Sequence, residues 1–289
     1  MELVKVNEKN FAEIIKLNTK AEKQGYVDSA LYSIAECFVD KNHMDAFGIY
    51  NDEEIYGFVS IYFEGNFGQI INFFIEDCYQ NKGYGGKIVE NLLGAFIDTY
   101  KVDTVSVGVH EENIRAFNFW KKQGFIDTGN IEGDYRYLRK PLNRLLISDD
   151  LYLTKYFPAH KISLNWYLDK ETVKMVDNSD TVYDLDQLKK MYEYLDKNGI
   201  LFYIVHKNKL IGDCAIFDDK MLAIVIDKEY RGRKIGGKVL DGLITLAKEK
   251  DLAYLKAEIY DFNKVSKSLF QNHGFEKIGK EMYKLDLIK

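Results

Sequence analysis

Gln80-Asn81-Lys82-Gly83-Tyr84-Gly85-Gly86-Lys87 is the stretch that decides how the chain is read. Before it, Gln69-Ile70-Ile71-Asn72-Phe73-Phe74-Ile75 is short and mostly apolar, as a strand buried in a sheet is. After it, Ile88, Val89, Leu92, Leu93, Phe96 and Ile97 recur with the spacing of one apolar helix face. The unit is strand, glycine-rich turn, helix. Glycines let several backbone N–H groups converge with no Cβ in the way. The helix behind them points its positive dipole end at whatever sits in the turn. The stretch predicts an anion cradle, suited to a phosphate or pyrophosphate.

Spacing narrows the ligand. A dinucleotide fingerprint needs a further glycine where the chain has Ile88. A Walker loop needs glycine at Asn81 and a hydroxyl at Ile88, so that reading fails too. What remains, Gln-x-x-Gly-x-Gly after a buried strand, resembles motif A of the GNAT superfamily of N-acetyltransferases. The resemblance implies that loop amides hold the pyrophosphate of coenzyme A, with Gln80, Asn81, Lys82, Gly83, Tyr84, Gly85 and Gly86 forming the cofactor loop.

At 289 residues the chain has length for two ordinary domains. Its 46% hydrophobic and 29% charged residues describe a globular chain rather than a disordered one. No apolar run reaches the roughly 20 residues of a membrane helix, and the N-terminus lacks the pattern of a signal peptide. Cys37, Cys78 and Cys214 form no CxxC and suggest neither a disulfide framework nor a zinc site. A cytoplasmic protein without membrane or metal is expected. Residues 1–140 carry 22 acidic and 15 basic side chains, or −7, and the remaining 149 carry 23 and 25, or +2. The acidic first half disfavours nucleic acid and favours a small cationic partner.

The decisive stretch has an echo. Arg231-Gly232-Arg233-Lys234-Ile235-Gly236-Gly237-Lys238 follows the apolar run Leu222–Ile226 and opens a second apolar-faced helix. Gly85 and Gly236 are 151 apart, as are Gln80 and Arg231, while Asn113 and Asn263, and Gly124 and Gly274, are 150 apart. A near-constant offset over four landmarks marks a tandem duplication, with too long a period for a solenoid. The expected division is a domain over 1–142, a linker over 143–158 and a second domain over 159–289, whose first strand is read at Lys161–Tyr167.

In the first copy the reading in order is β-α-α-β-β-β-α-β-α-β-β, the order of the GNAT fold: an α/β fold on a mixed sheet, here twice in tandem. The segment Asn113-x-x-Ala116-x-x-Phe119-Trp120-Lys121-Lys122-Gln123-Gly124-Phe125 resembles the family's motif B. Tyr26, the run Tyr32–Glu36 and the run Phe73–Gly85 resemble bacterial diamine and polyamine acetyltransferases.

The resemblance implies acetyl transfer from acetyl-CoA to a primary amine of a small cationic substrate, a polyamine being the leading class. Backbone amides near Phe74 and Ile75 are expected to face the pantetheine and the acetyl oxygen, where a donor is worth roughly 3–4 kcal/mol. Asn113 and Trp120 complete the expected cofactor contacts. The base is left between Glu76, at the strand end, and His110, at the end of the neighbouring strand, histidine ordinarily titrating near neutrality. Each also has a bland reading, as a solvated carboxylate and a structural histidine. The family's usual motif-B tyrosine is absent: Trp120 and Phe270 stand there, and neither donates to a sulfur as a phenol does. Tyr84 is the first substitute, with Tyr135 and Tyr137 behind it. Tyr26, Tyr32 and Glu36 are expected to line the amine pocket, aromatic faces and a carboxylate suiting an ammonium.

In the second copy Arg231, Gly232, Arg233, Gly236, Gly237 and Asn263 are the corresponding cofactor residues, but Lys234 replaces the first glycine of the motif. This copy is expected to bind acetyl-CoA less well and to pack on the first as a pseudo-dimer. Two alternatives stand beside polyamine acetylation: a drug or aminoglycoside acetyltransferase, and a coenzyme A-binding regulator without turnover.

Overall fold

The computed structural model describes residues 1–287. The chain divides into two units, one from Met1 to Asn143 and one from Arg144 onward.

The first unit is built on a seven-stranded mixed sheet. In chain order its elements are β1 (Glu2–Lys5), α1 (Phe11–Ile14), α2 (Lys20–Lys23), α3 (Ala30–Val39), β2 (Met44–Asn51), β3 (Glu54–Glu64), β4 (Phe67–Ile75), α4 (Tyr84–Asp98), β5 (Thr104–His110), α5 (Ile114–Lys122), β6 (Ile126–Glu132) and β7 (Tyr135–Pro141). The sheet order is β1-β2-β3-β4-β5-β7-β6. Only β4 and β5 run parallel, because the helix α4 carries the chain back across the sheet between them. The buried side chains Ile88, Val89, Leu92, Leu93 and Phe96 seat α4 on Ile70, Val105 and Val107. On the opposite face α1 and α3 cover Phe58 and Phe74.

The feature that positions the site is where β4 and β5 part. They pair from Phe67 with Thr104 to Ile70 with Val107 and no further, although β4 runs on to Ile75 and β5 to His110. On its other side β4 stays paired with β3 through Ile75, with a register shift opposite Ser60 and Ile61 that leaves Ile71 as the extra residue of a bulge. A bulge bends one strand of a pair and increases its twist. Here it coincides with the loss of pairing to β5, so the last turns of β4 present an unpaired edge.

The second unit repeats the plan over β8 (Arg144–Ser148), β9 (Leu151–Lys155), α6 (His160–Tyr167), α7 (Lys170–Asp177), α8 (Leu185–Lys197), β10 (Gly199–His206), β11 (Lys209–Phe217), β12 (Leu222–Ile226), α9 (Ile235–Glu249), β13 (Tyr254–Glu258), α10 (Lys264–Asn272), β14 (Glu276–Lys277) and β15 (Met282–Asp286). Its strands form a five-stranded sheet, β12-β11-β10-β9-β8, and a three-stranded one, β13-β15-β14. Between β12 and β13 there is one parallel bridge, Met221 with Lys256.

Two expectations are corrected here. The stretch 143–158 is no linker: β8 and β9 lie in it as a hairpin, and β9 pairs with β10. Lys161–Tyr167 is helical, not a strand. Its alternating Ile162, Leu164 and Trp166 imitate a strand, but Ser163, Trp166 and Tyr167 are the buried positions, at helical spacing.

Candidate functional site

The loop after β4 is shaped by two left-handed residues, Asn81 with φ of 62° and Gly83 with φ of 82°. Asparagine and glycine tolerate that region best. Gly83 is the N-cap of α4, so the first free N–H groups of the helix open onto the loop. Gln80 holds the loop against the strand it leaves, its Nε2 donating to the Ile75 carbonyl at 2.7 Å. Arg115 on α5 donates from Nη2 to Asn81 Oδ1 at 2.9 Å, bringing a cation to the loop's side. A Cβ on Gly85 would stand 3.0 Å from the Phe119 ring, so glycine there lets α5 close over the helix mouth.

The loop, the unpaired edge of β4 and the end of β5 enclose a cavity of about 1250 Å³. Asn81, Gly83, Tyr84, Gly85, Gly86 and Gln80 line it, as do Phe74, Ile75, His110, Asn113, Trp120 and Tyr26. Glu76, Lys82, Tyr32 and Glu36 do not. Glu76 ends the strand with its N–H bonded to the Tyr56 carbonyl. Lys82 lies over the Tyr79 ring, 5.5 Å from its centre. Tyr32 is 55% exposed on α3. The Glu36 carboxyl is held above its usual range by burial and then by Asp28, and its Oε2 is buried without a hydrogen-bond partner.

Strand parity changes which amides face the opening. In an antiparallel pair, N–H groups alternate between the partner strand and the far side. Because the Glu76 N–H reaches Tyr56 on β3, and the pairing runs unbroken from Gly57–Ile75 to Ser60–Asn72, the Phe74 N–H points to β3. The N–H groups of Phe73 and Ile75 point the other way, toward the edge that β5 has left. Of the two expected amides, that of Ile75 points to the open edge and that of Phe74 does not; the Phe73 N–H does.

Asn113 caps α5, its Oδ1 accepting from the Ala116 N–H at 3.0 Å. Trp120 is 4% exposed and packs edge-on against Phe73, Phe119 and Phe125. It walls the cavity with apolar surface where a phenol was absent from the sequence. Tyr84, the proposed substitute, leans on the Tyr56 ring at 5.2 Å. Tyr135 and Tyr137 also reach the cavity. Burial, then Glu132 and Tyr135, hold the Tyr137 phenol above its usual range.

His110 sits between two of these rings, 4.9 Å from Tyr26 and 5.6 Å from Tyr135, centre to centre. Its Nδ1 accepts the Glu112 N–H at 3.3 Å. With Nδ1 an acceptor, the neutral ring carries its proton on Nε2 and offers a donor there. Three residues of the site escaped the sequence reading. Asp28 lies two positions past Tyr26 on the cavity wall. Asp77 accepts from Thr19 Oγ1, the Lys20 N–H and Gln80 Nε2, tying the entry of α2 to the loop. Arg115 is the third, and only its helical neighbourhood to Asn113 hints at it.

The second loop keeps the backbone and changes the side chains. Its left-handed residues are Gly232, φ of 75°, and Lys234, φ of 60°, each 151 positions after Asn81 and Gly83. Arg231 repeats the buttress of Gln80, its Nε donating to the Ile226 carbonyl at 3.0 Å. Arg233 lies over Tyr230 as Lys82 lies over Tyr79. Gly236 and Gly237 face Leu269 of α10 and His273, the residue that caps its C-terminus. Asn263 caps α10 as Asn113 caps α5.

A bent strand with unpaired amides, a two-residue left-handed loop and a helix mouth define a site for a long, pyrophosphate-bearing thioester, and these residues fit coenzyme A. The model of the Acetyltransferase (GNAT) family matches residues 11–125 and 164–275, and the chain belongs to that family. It is an acetyl-CoA-dependent N-acetyltransferase with two GNAT folds in tandem. The spermine/spermidine N(1)-acetyltransferase of Bacillus subtilis (strain 168) is 26% identical over 138 residues, covering 44% of this chain and 88% of that protein. Among solved structures, PaiA N-acetyltransferase from Thermoplasma acidophilum in complex with coenzyme A is 16% identical, with a TM-score of 0.41 over 48% of this chain and 98% of that one. Spermidine N-acetyltransferase from Vibrio cholerae in complex with CoA and spermine is 17% identical, with a TM-score of 0.39 over 48% of this chain and 92% of that one. Among the described residues no helix is long and apolar enough to cross a membrane.

Proposed function

We propose that the first unit acetylates a primary amine of a small polycationic acceptor, with polyamines the leading class. The observation that carries this is a carboxylate and a series of aromatic rings sharing the cavity wall. Arg115 is bonded into the phosphate loop, while Asp28 lines the same cavity as the ring series Tyr26, His110 and Tyr135. A carboxylate next to aromatic faces suits an ammonium. The relative from Bacillus subtilis named for spermine and spermidine supports the same class.

When bound, acetyl-CoA supplies the acetyl group as a thioester. The amides of the 80–86 loop and the mouth of α4 hold the diphosphate. The N–H groups of Phe73 and Ile75 hold the pantetheine arm and the acetyl oxygen along the free edge of β4. Asn113, its Oδ1 committed to the helix cap, has its amide nitrogen left for the arm. Trp120 excludes water from the sulfur's side. His110 gives a hydrogen bond from Nε2 to the acetyl oxygen or the departing sulfur. Asp28 is exposed, so the ammonium it holds stays in exchange with water, which takes the proton before attack.

Release of free thiol from acetyl-CoA, measured across spermidine, putrescine, an aminoglycoside and amino-acid amines, tests the assignment. Polyamines are expected to turn over fastest. An aminoglycoside preferred over every polyamine would move the acceptor class, and silence across the panel would sink the reading. Asp28→Asn is expected to raise KM for a polyamine roughly two- to fivefold, the worth of an exposed ion pair, with kcat little changed.

A further inference from the structure

We infer that the second unit holds its own phosphate loop shut with helix α7, so that each chain binds one coenzyme A, in the first unit. This rests on reading the first loop as a coenzyme A site. The second loop is not disqualified by its backbone: both left-handed turns are in place, a fifteen-residue helix stands behind them, and β12 and β13 share a single bridge. What differs is the element lying across the opening.

Helix α7 is tied to both lips. On the loop side, Arg231 Nη2 donates to Thr172 Oγ1 at 2.6 Å, its Nη1 stands 3.9 Å from Glu171, and Lys228 Nζ donates to Asp169, the N-cap of α7, at 3.2 Å. On the far side, Asn263 Nδ2 donates to the Met175 carbonyl at 3.3 Å. That is the amide nitrogen which Asn113, in the first unit, leaves for the arm. An eight-residue helix is about 12 Å long, enough to bridge two strands normally about 4.8 Å apart that have spread.

The tie also occupies one of the loop's cations. Arg231 is paired with Glu171 and bonded to Thr172 and Ile226, so a diphosphate arriving there meets a guanidinium already in use. Lifting α7 would expose Thr172 and Val173, which are 2% and 1% exposed. In the first unit the matching segment α2 is four residues long, and its hydrogen bonds run to the loop side, through Asp77. Tyr26, just beyond it, meets the far side through its ring contact with His110 rather than a bond from Asn113.

Calorimetric titration of the full chain with coenzyme A is expected to give one site per chain. Gly86→Glu puts a carboxylate into the first cradle, where the neighbouring Gln123 side chain can give way. It is expected to abolish binding at concentrations 100-fold above the wild-type Kd while the circular dichroism stays native. Arg231→Gln leaves the first loop untouched and removes only one tie of α7, with Lys228–Asp169, Asn263–Met175 and the buried Thr172 and Val173 still seating the helix. It is expected to change neither stoichiometry nor Kd beyond twofold, and it decides the matter should Gly86→Glu fail to fold. Two sites in the wild type, a residual site in Gly86→Glu, or a halved stoichiometry in Arg231→Gln would overturn the inference. No heat from the wild type would instead overturn the first-loop reading and leave the second loop closed as inferred.

Discussion

At the scale of single residues, Asp213 shows how burial sets a pH response. It lies on β11 at 3% exposure, with the Tyr167 hydroxyl 3.0 Å from each carboxylate oxygen and the Tyr192 hydroxyl 2.7 Å from one. Burial pushes its carboxyl up to about 7, the tyrosine bonds opposing and Asp177 adding to the rise. The folded carboxyl is then protonated at pH 5, where the unfolded one, near 3.8, has lost its proton. The folded state binds the extra proton, so this contribution is full below about pH 4 and is lost as pH rises through 7, at a slope of at most about 1.4 kcal/mol per pH unit. Asp213→Asn should flatten that slope in denaturant melts between pH 5 and 8; parallel wild-type and variant curves would refute it. None of this was legible in the sequence, where Asp213 is one acid in an apolar strand. The same limit hid which amide of β4 faces the cavity. Parity along a strand is readable, but the extra residue at Ile71 and the side taken by β3 come from pairing, and they exchanged Phe74 for Phe73. Glu36 and Tyr32 misled for the related reason that an amine pocket was read from residue type, whereas α3 turns them off the cavity wall.

At the scale of elements, the loop was the most legible part, because glycine and asparagine report backbone geometry directly. Gln80, Asn81 and Gly83 through Gly86 line the cavity and Lys82 does not, and the second loop reproduces the turn with its glycine moved by two positions. Lys234 therefore occupies a left-handed conformation that costs a side-chain-bearing residue roughly 1–2 kcal/mol, offset in part by the entropy that glycine would lose. Lys234→Gly is expected to stabilise the second unit by about 0.5–1 kcal/mol, seen as a higher melting temperature. In the first loop Gly83→Asn should keep most of the stability and Gly83→Val should not, a β-branched residue being an outlier at positive φ. Equal melting temperatures for the two variants would show that the turn is not what glycine serves there. The poorly legible elements were the short apolar ones. Lys161–Tyr167 carries strand and helix periods at once, and the hairpin at 144–155 lay where a linker was expected.

At the scale of the whole chain, the duplication was visible because both copies keep their landmarks at one offset, while what separates them was not. The segment that becomes α2 in one copy and α7 in the other lies between the motifs, where no loop geometry constrains residue type, so the ties of α7 to Arg231 and Asn263 leave no mark in the spacing. The core clusters follow the same division: Ile70, Leu92 and Trp120 belong to one, Ile204, Leu243 and Phe270 to another. Two units with separate cores and different sites should answer to different inputs. Coenzyme A at about 100 times its Kd stabilises what it binds by about 2.7 kcal/mol. Hydrogen exchange should therefore slow in β4, β5 and α4 when coenzyme A is added and stay unchanged in α7, α9 and β13. A shift from pH 5 to pH 8, corrected for the intrinsic exchange rate, should loosen α6, α8 and β11 around Asp213 and spare β3 and β4. Coenzyme A protecting α9 would mean that the strap lifts, and equal loosening of both units with pH would mean that Asp213 does not set the response.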